Sequence, residues 1–254
     1  MLTAAIVLYH NNPLVLKAAV ESFLATPLEK KIFLIDNSSN DELRSYFEVN
    51  KELEYIFSGK NLGFGAGHNL ILDEIERISS YHLILNPDAY FDPDVLPLLV
   101  RQLETKYKIG LIAPKIVYPN GEFQLSIRRY PRVYDFFLRR ISFLGKIFKS
   151  SFEKTNYLNA EIDKPLEVEA VSGCFQLFRS SVYVKVGGFD DRYFMYMEDI
   201  DICRKVNNYG KSVLYFPKAI VYHRSEYASK KSIKLFNTHV KSILQYFLKW
   251  GIKL

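Results

Sequence analysis

Two acidic sites in this chain have the residue types for moving a proton and holding a cation. The first is Glu198-Asp199, directly after Tyr193-Phe194-Met195-Tyr196-Met197. An apolar approach of that kind dries a carboxylate and raises its pKa toward that of a useful base. Acids also favour the first turn of a helix through the macrodipole. That structural reading explains Glu198 and Asp201, but not the apolar run before them. The second site is Leu85-Asn86-Pro87-Asp88, an apolar strand ending in a polar turn. A carboxylate at a strand end can bind a divalent cation, and the cation can bridge the two phosphates of a nucleotide. Asn, Pro and Asp also favour turns for their own sake, and that reading stands beside it. Gly59 to Asn69 clusters glycines ahead of a helix, an arrangement that can bring backbone amides to an anion. His223 ends an apolar run and offers an imidazole to a metal such as manganese, although a lone histidine is more often structural. His10 and His68 lie in turns near the same site, with an equally weak claim.

The elements that must position these groups follow from hydrophobic patterning. Thr3–Tyr9 reads as a buried strand. Asn12-Pro13 caps a helix running to about Leu24. Lys31–Ile35 is a second strand, ending in Asp36-Asn37-Ser38-Ser39-Asn40, and Glu54–Ser58 is a third. A helix follows near Leu70–Ile78. His82–Asn86 is a fourth strand, and Asp92-Pro93 caps the next helix by the same device as Asn12-Pro13. This alternation predicts a doubly wound, mostly parallel α/β sheet flanked by helices. In such sheets ligands bind beyond the carboxyl ends of the strands, where Asp36 and Asp88 both stand. The second half predicts added mixed strands at Gly110–Tyr118, Phe123–Arg128 and Val168–Arg179, with a turn at Asn120-Gly121. Ser180 caps a short helix broken by Gly187-Gly188. A helix over Glu198–Tyr209 is closed by Gly210, and strands follow at Val213–Phe216 and Ala219–His223.

With 254 residues, 48% of them hydrophobic, the chain buries a core of ordinary density. The net charge of +6 is unevenly spread. Residues 128–154 hold eight Lys/Arg against Asp135 and Glu153, and residues 230–254 hold six Lys and no acid. Together they carry +12, so the rest of the chain is net −6. Both stretches mix cations with apolar residues, which suits an anionic membrane surface better than nucleic acid, for which no motif is present. In the tail, Ile233, Phe236, Val240, Ile243, Leu244 and Phe247 fall at helical spacing. That basic amphipathic helix either docks on lipid or packs its apolar stripe on the core or a second subunit. Cys174 and Cys203 have neither metal-ligand spacing nor a disulfide framework. With no secretory pattern at the start and no apolar run long enough to span a bilayer, the expected location is the cytoplasm, peripheral at the inner face of the cell membrane.

Some chemistries are excluded. The first strand is followed by Tyr9-His10-Asn11-Asn12 rather than a glycine fingerprint, which argues against a nicotinamide enzyme. Ser172-Gly173-Cys174 lacks the frame of a nucleophile elbow.

Taken in order, Ile6 to Asn11, Ile35 to Ser39, Asn61 to Asn69, Leu85 to Asp88, Val171 to Phe175, and Gly188 through Glu198 to Cys203 resemble the family 2 glycosyltransferases. The likeness is greatest to the rhamnosyltransferase-like branch that assembles bacterial surface polysaccharides. The resemblance implies a GT-A fold over residues 1–229, with 1–118 binding the nucleotide sugar, 119–229 the acceptor, and 230–254 the appended helix. It also implies a nucleotide-diphosphate sugar donor, a glycan or lipid-linked acceptor, a Mn²⁺ or Mg²⁺ ion, and inversion at the anomeric carbon. Asp199, with Glu198 beside it, matches the acid that deprotonates the acceptor, while Asp88 and His223 match metal ligands. Tyr9, Asp36, Asn61, Gly63, Gly65, Asn69, Asn86 and Gly173 stand at positions implied to bind substrate. Asn86 replaces the first aspartate of the usual metal motif, which leaves one carboxylate fewer. A nucleotidyltransferase or a non-catalytic sugar- or lipid-binding protein on the same fold are the competing readings.

Overall fold

The computed structural model describes residues 1–132, 156–157, 160–224 and 233–251. The expected parallel core is present. Strands β1 (Leu2–Leu8), β2 (Lys30–Asp36), β3 (Leu53–Phe57) and β4 (Tyr81–Leu85) pair in parallel in the order β3-β2-β1-β4. Because β1 lies between β2 and β4, the winding reverses there, and a crevice opens at the carboxyl ends.

The second half extends the sheet. β10 (Phe175–Arg179) runs antiparallel between β4 and β6 (Ile109–Val117), and β11 (Ser212–His223) runs parallel to β6. β5 (Ala89–Phe91) closes the edge against β11, and β8 (Leu166–Val168) pairs the other end of β11. The β10 pairing sets Phe175 opposite Leu85, and the β5 pairing sets His223 opposite Ala89. Residues just before β10 and at the end of β11 therefore join the crevice. Three expectations change here. The long strand over Val168–Arg179 is three pieces: part of β8, β9 (Ala170–Val171) and β10. Of Phe123–Arg128 only β7 (Ile127–Arg128) is strand, paired with β9. The two last strands are one, because a bulge between Phe216 and Ile220 lets β11 run past the turn residues.

Both faces of the sheet are buried, which is why its inner strands read as nearly unbroken apolar runs. On one side Leu16, Ala19, Val20 and Phe23 of α1 (Pro13–Leu24) share a core with Ile6 and Leu8, and Leu96, Leu99 and Leu103 of α4 (Val95–Thr105) extend it over β6 and β11. Phe23 is wholly buried, so truncation to alanine there costs about 3–5 kcal/mol. The opposite face packs under α2 (Phe64–Asn69), α3 (Leu72–Ile78), α5 (Ser180–Lys185) and α6 (Glu198–Asn208). The start of α1 is built as expected, with Asn12 Oδ1 accepting from Leu14 N at 2.9 Å. Asp92-Pro93 does not repeat the device. α4 starts after Asp94 with no side-chain cap, and Asp92 contributes only its carbonyl, to Val95 N. Ser180 likewise lies inside α5 and bonds Ser79 Oγ.

The tail forms α7 (Ile233–Trp250), and its apolar residues divide between two faces. Ile243 and Phe247 pack against the core beside fully buried Tyr246, whereas Phe236, Val240 and Leu244 are exposed. The core-packing reading therefore holds for one face only. The basic stretch expected from residue 128 lies outside the described residues from 133 to 155.

Candidate active site

Asp88 sits in the turn after β4. Asn86 O accepts from Ala89 N at 3.2 Å, and Asp88 O accepts from Arg224 N at 3.2 Å, which ties the turn to the end of β11. This brings His223 Nε2 to 3.1 Å from Asp88 Oδ1 and 3.3 Å from Asn86 Nδ2. On the other side of the ring, Nδ1 lies 3.0 Å from Gln124 Oε1. An amide oxygen only accepts, so Nδ1 carries a hydrogen, and in the matching neutral tautomer the Nε2 lone pair would face the carboxylate. Two acceptors facing each other at that distance are stable with a proton or a cation between them. The residues present thus fit a divalent ion held by Asp88 and His223, with Gln124 fixing the ring from behind. Among the described residues no group of three or more His, Cys, Asp or Glu side chains is placed to hold a metal.

Asp199 is reached through a strained backbone. Tyr196 and Met197 both have positive φ, at 70° and 71°, and they turn the chain sharply into α6. The helix start has no side-chain cap from outside; instead Asp199 Oδ1 accepts from Ile200 N at 2.8 Å. Oδ2 accepts from Gly173 N at 3.3 Å, and the guanidinium of Arg128 lies 3.7 Å away. A Cβ at position 173 would stand 3.2 Å from Asp199 Cβ, so the bare glycine admits the carboxylate. Glu198 differs from its neighbour. It is 7% exposed, and its Oε2 has no hydrogen-bond partner among the described residues. Burial, with the charge of Asp199 adding to it, pushes its carboxyl up to about 8. The drying expected from the apolar run falls on Glu198, while Asp199 keeps a part-exposed carboxylate facing the crevice.

The two sites meet at residues 172–174. Cys174 O accepts from Asn86 N at 2.9 Å, and Gly173 N donates to Asp199. The Cys174 thiol is pushed up to about 12 by burial, opposed by a bond with Ser172 and reinforced by the charges of Asp88 and Asp199 on either side.

The other expected residues divide. Tyr9 is 54% exposed at the end of β1, with its ring edge-on to His10. Asn61 is exposed, and its Oδ1 accepts from Gly63 N. Asp36, expected to contact the donor's base or ribose, is fully buried; it accepts from Ser38 N and from Tyr55 Oη and braces the turn beneath Tyr9 and His10. Gly63 and Gly65, in the segment expected to present amides to an anion, also admit close packing. Gly63 has φ 86°, and a Cβ there would lie 2.3 Å from Phe194 O; one at Gly65 would lie 2.8 Å from Phe189 Cβ. Asn69 bonds Phe189 through both ends of its amide and also reaches Asp191. These residues hold the segment before α6 in place. His68 is inside the core between Phe64 and Phe189, kept neutral by burial and away from any metal. Sequence reasoning missed Gln124, which carries no motif, and took Arg128 for part of a surface patch.

The family model described as Glycosyl transferase family 2 matches residues 4–187. The chain belongs to that family. It is therefore a glycosyltransferase, an enzyme that moves a sugar from a nucleotide-linked donor to an acceptor, and the nucleotidyltransferase reading falls away. Rhamnosyltransferase WbbL of Escherichia coli is 28% identical to it over 251 residues, 96% of this chain and 92% of the relative. An N-acetylglucosaminyl-diphospho-decaprenol L-rhamnosyltransferase of Mycobacterium tuberculosis is 26% identical over 241 residues, 90% of this chain and 78% of the relative. Among solved structures, GalNAc-T7 with UDP, GalNAc and Mn²⁺ superimposes with a TM-score of 0.66 at 15% identity, over 88% of this chain and 43% of that one. The mannosyltransferase PcManGT of Pyrobaculum calidifontis, in complex with GDP-Man and Mn²⁺, gives 0.62 at 14% identity, over 98% and 63%. This chain spans less than two thirds of either solved chain, and at such identity the likeness establishes the GT-A-like fold alone. No helix among the described residues of this transferase is long and apolar enough to cross a membrane.

Proposed function

We propose that this transferase moves rhamnose from a dTDP donor, or a sugar from a UDP donor, to a hydroxyl of a glycan or lipid-linked acceptor in bacterial surface polysaccharide synthesis, with inversion at the anomeric carbon. Its similarity along nearly its whole length to proteins named as rhamnosyltransferases supports the sugar and the acceptor class. The observation that carries the mechanism is the turn at residues 172–174, with Asp88 on one side and Asp199 on the other. A group between them has a cation-binding carboxylate at one end and a base at the other.

Residues 1–118 take the donor and residues 119–229 the acceptor. Tyr9, with His10, offers a ring surface to the nucleotide base, and Asn61 a polar side chain. Asp88 and His223 hold a Mn²⁺ or Mg²⁺ ion, with Asn86 alongside. When bound, that ion offsets the negative charge that grows on the departing diphosphate. Asp199 accepts the proton of the acceptor hydroxyl as its oxygen bonds the anomeric carbon, and the bond to the diphosphate oxygen breaks on the opposite face. Gly173 N and Arg128 hold the Asp199 carboxylate toward the acceptor, and the fold keeps the hydroxyl in line.

The test is turnover of a panel of dTDP- and UDP-sugars by the purified chain, with lipid-linked and water-soluble N-acetylglucosamine acceptors, in Mn²⁺ and with EDTA as control. Transfer to a hydroxyl with inverted configuration, lost in EDTA, is expected. Retention of configuration, or full rate in EDTA, overturns the mechanism.

A further inference from the structure

The helix α7 has two faces, and among the described residues only one of them packs inside the protein. On the inner face Ser242 Oγ donates to Met195 O at 2.8 Å, and Tyr246 Oη accepts from Arg204 at 3.1 Å. Lys249 Nζ donates to Asp190 at 2.7 Å and to Asp201 at 2.8 Å, and Trp250 Nε1 donates to Asp201 at 2.6 Å. Asp201 is fully buried on α6, two residues from Asp199. The inner face is thus bonded to the helix that carries the base and to the segment leading into it.

The outer face is apolar at steps of four residues. Val240, Leu244 and Leu248 are 38%, 59% and 86% exposed. Four-residue steps advance the stripe by about 40° each, so it covers roughly a quarter of the helix circumference. A continuous apolar stripe in water marks a partner surface. Two occupants are available, a second copy of the chain or a lipid surface, and charge decides between them. Lys249 is neutralised on the inner face by Asp190 and Asp201, but Lys241 is exposed, α7 has no Asp or Glu, and residues 230–254 hold six Lys and no acid. Two copies meeting along this face would bring like charges together, whereas an anionic headgroup layer neutralises them. With no helix able to cross a bilayer among the described residues, the geometry is that of a helix lying in the interface.

We propose that Val240, Leu244 and Leu248 of α7 form a docking surface for an anionic lipid bilayer, and that the Lys249–Asp201 and Trp250–Asp201 bonds set the catalytic helix at a fixed attitude to that bilayer. Docking requires no turnover. Its purpose rests on the proposed lipid-linked acceptor, which the surface brings within reach of Asp199.

Co-sedimentation of the full chain with phosphatidylcholine vesicles, with and without phosphatidylglycerol, tests the surface. Binding to the anionic vesicles, weakened by salt and by Lys241→Glu, is expected. Leu244→Ser with Leu248→Ser lowers that binding by at least about tenfold, since each leucine loses its burial in the acyl boundary. The same double variant keeps its melting temperature and its rate on a water-soluble acceptor, because neither side chain touches the site. Failure of the wild-type chain to bind anionic vesicles overturns the proposal, as does unchanged binding by the double variant. So does a wild-type dimer in light scattering that Leu248→Glu dissolves. Vesicle binding by a chain that transfers no sugar would sink the proposed function and leave the docking surface standing.

Discussion

The Asp88 site and the Asp199 site lie on either side of one short turn, and they are built in opposite ways. Asp88 stands just beyond the end of a central strand, in a relaxed turn, among polar side chains that bond one another: Asn86, His223 and Gln124. Asp199 stands at the start of a helix entered through two consecutive left-handed residues, beside a buried carboxyl whose Oε2 has no hydrogen-bond partner among the described residues. The first arrangement suits a group that holds a cation through a whole cycle. The second stores strain and an unfavourable burial where a proton has to move, and the rest of the fold must hold it in place. The glycines and Asn69 of residues 61–69 and the bonds from α7 do so by packing against the segment before α6.

Four measurements sharpen or break this contrast. The largest effect is expected at the base. Asp199→Asn should lower kcat by about 10²–10⁴-fold while donor binding by calorimetry stays unchanged; a near-normal kcat removes Asp199 from the mechanism. Next comes the buried neighbour. The Glu198 carboxyl is raised in the folded protein, so its contribution to stability is complete below the unfolded value near 4.5 and is lost as pH rises through about 8. Glu198→Gln should therefore remove a decline in melting temperature between those pH values, worth up to about a few kcal/mol at pH 9. Parallel melting profiles for the two proteins would show that Glu198 ionises without penalty. On the other side of the turn, Asp88→Ala should weaken Mn²⁺-supported donor binding by about 10–100-fold and leave binding in EDTA unaltered. Equal losses with and without the ion would make Asp88 a structural turn residue. The smallest effect is expected from Gln124→Leu, which frees the His223 ring to take the other tautomer and should weaken Mn²⁺ affinity by about tenfold. Restoration by Gln124→Glu, an acceptor of similar length, distinguishes ring positioning from simple loss of packing.

The parallel half of the sheet was legible because its strands are buried on both faces, and Leu2–Leu8 and Tyr81–Leu85 therefore appear as runs that are apolar except at Thr3 and His82. The positions of Asp88 and Asp199 were legible for a related reason, since strand ends and helix starts are local features. What pairs with each of them was not. Gln124 reaches His223 across 99 positions, and Lys249 reaches Asp201 across 48, with no periodicity to announce either contact. The role of the glycines is less legible, for a different reason. A cluster ahead of a helix looks the same in sequence whether it admits a phosphate or, as at Gly63, the carbonyl of Phe194. The tail was half legible: its apolar residues fit one broad stripe on a helical wheel, and only the packing of Tyr246 and Ser242 divides that stripe into an inner and an outer face.

The left-handed pair Tyr196-Met197 also fixes where α6 can begin. A helix started by a side-chain cap can slide by a residue if another capping residue is near, but a reversal of the backbone allows no such slippage. Loss or gain of a single residue between Asp190 and Met197 would turn every later side chain by about 100° around the helix axis. Asp199 would leave Gly173, and Asp201 would leave Lys249 and Trp250. The length of this segment is thus as much a part of the site as its composition, and relatives that vary freely in their surface loops should keep the spacing from Gly188 to Asp199 constant.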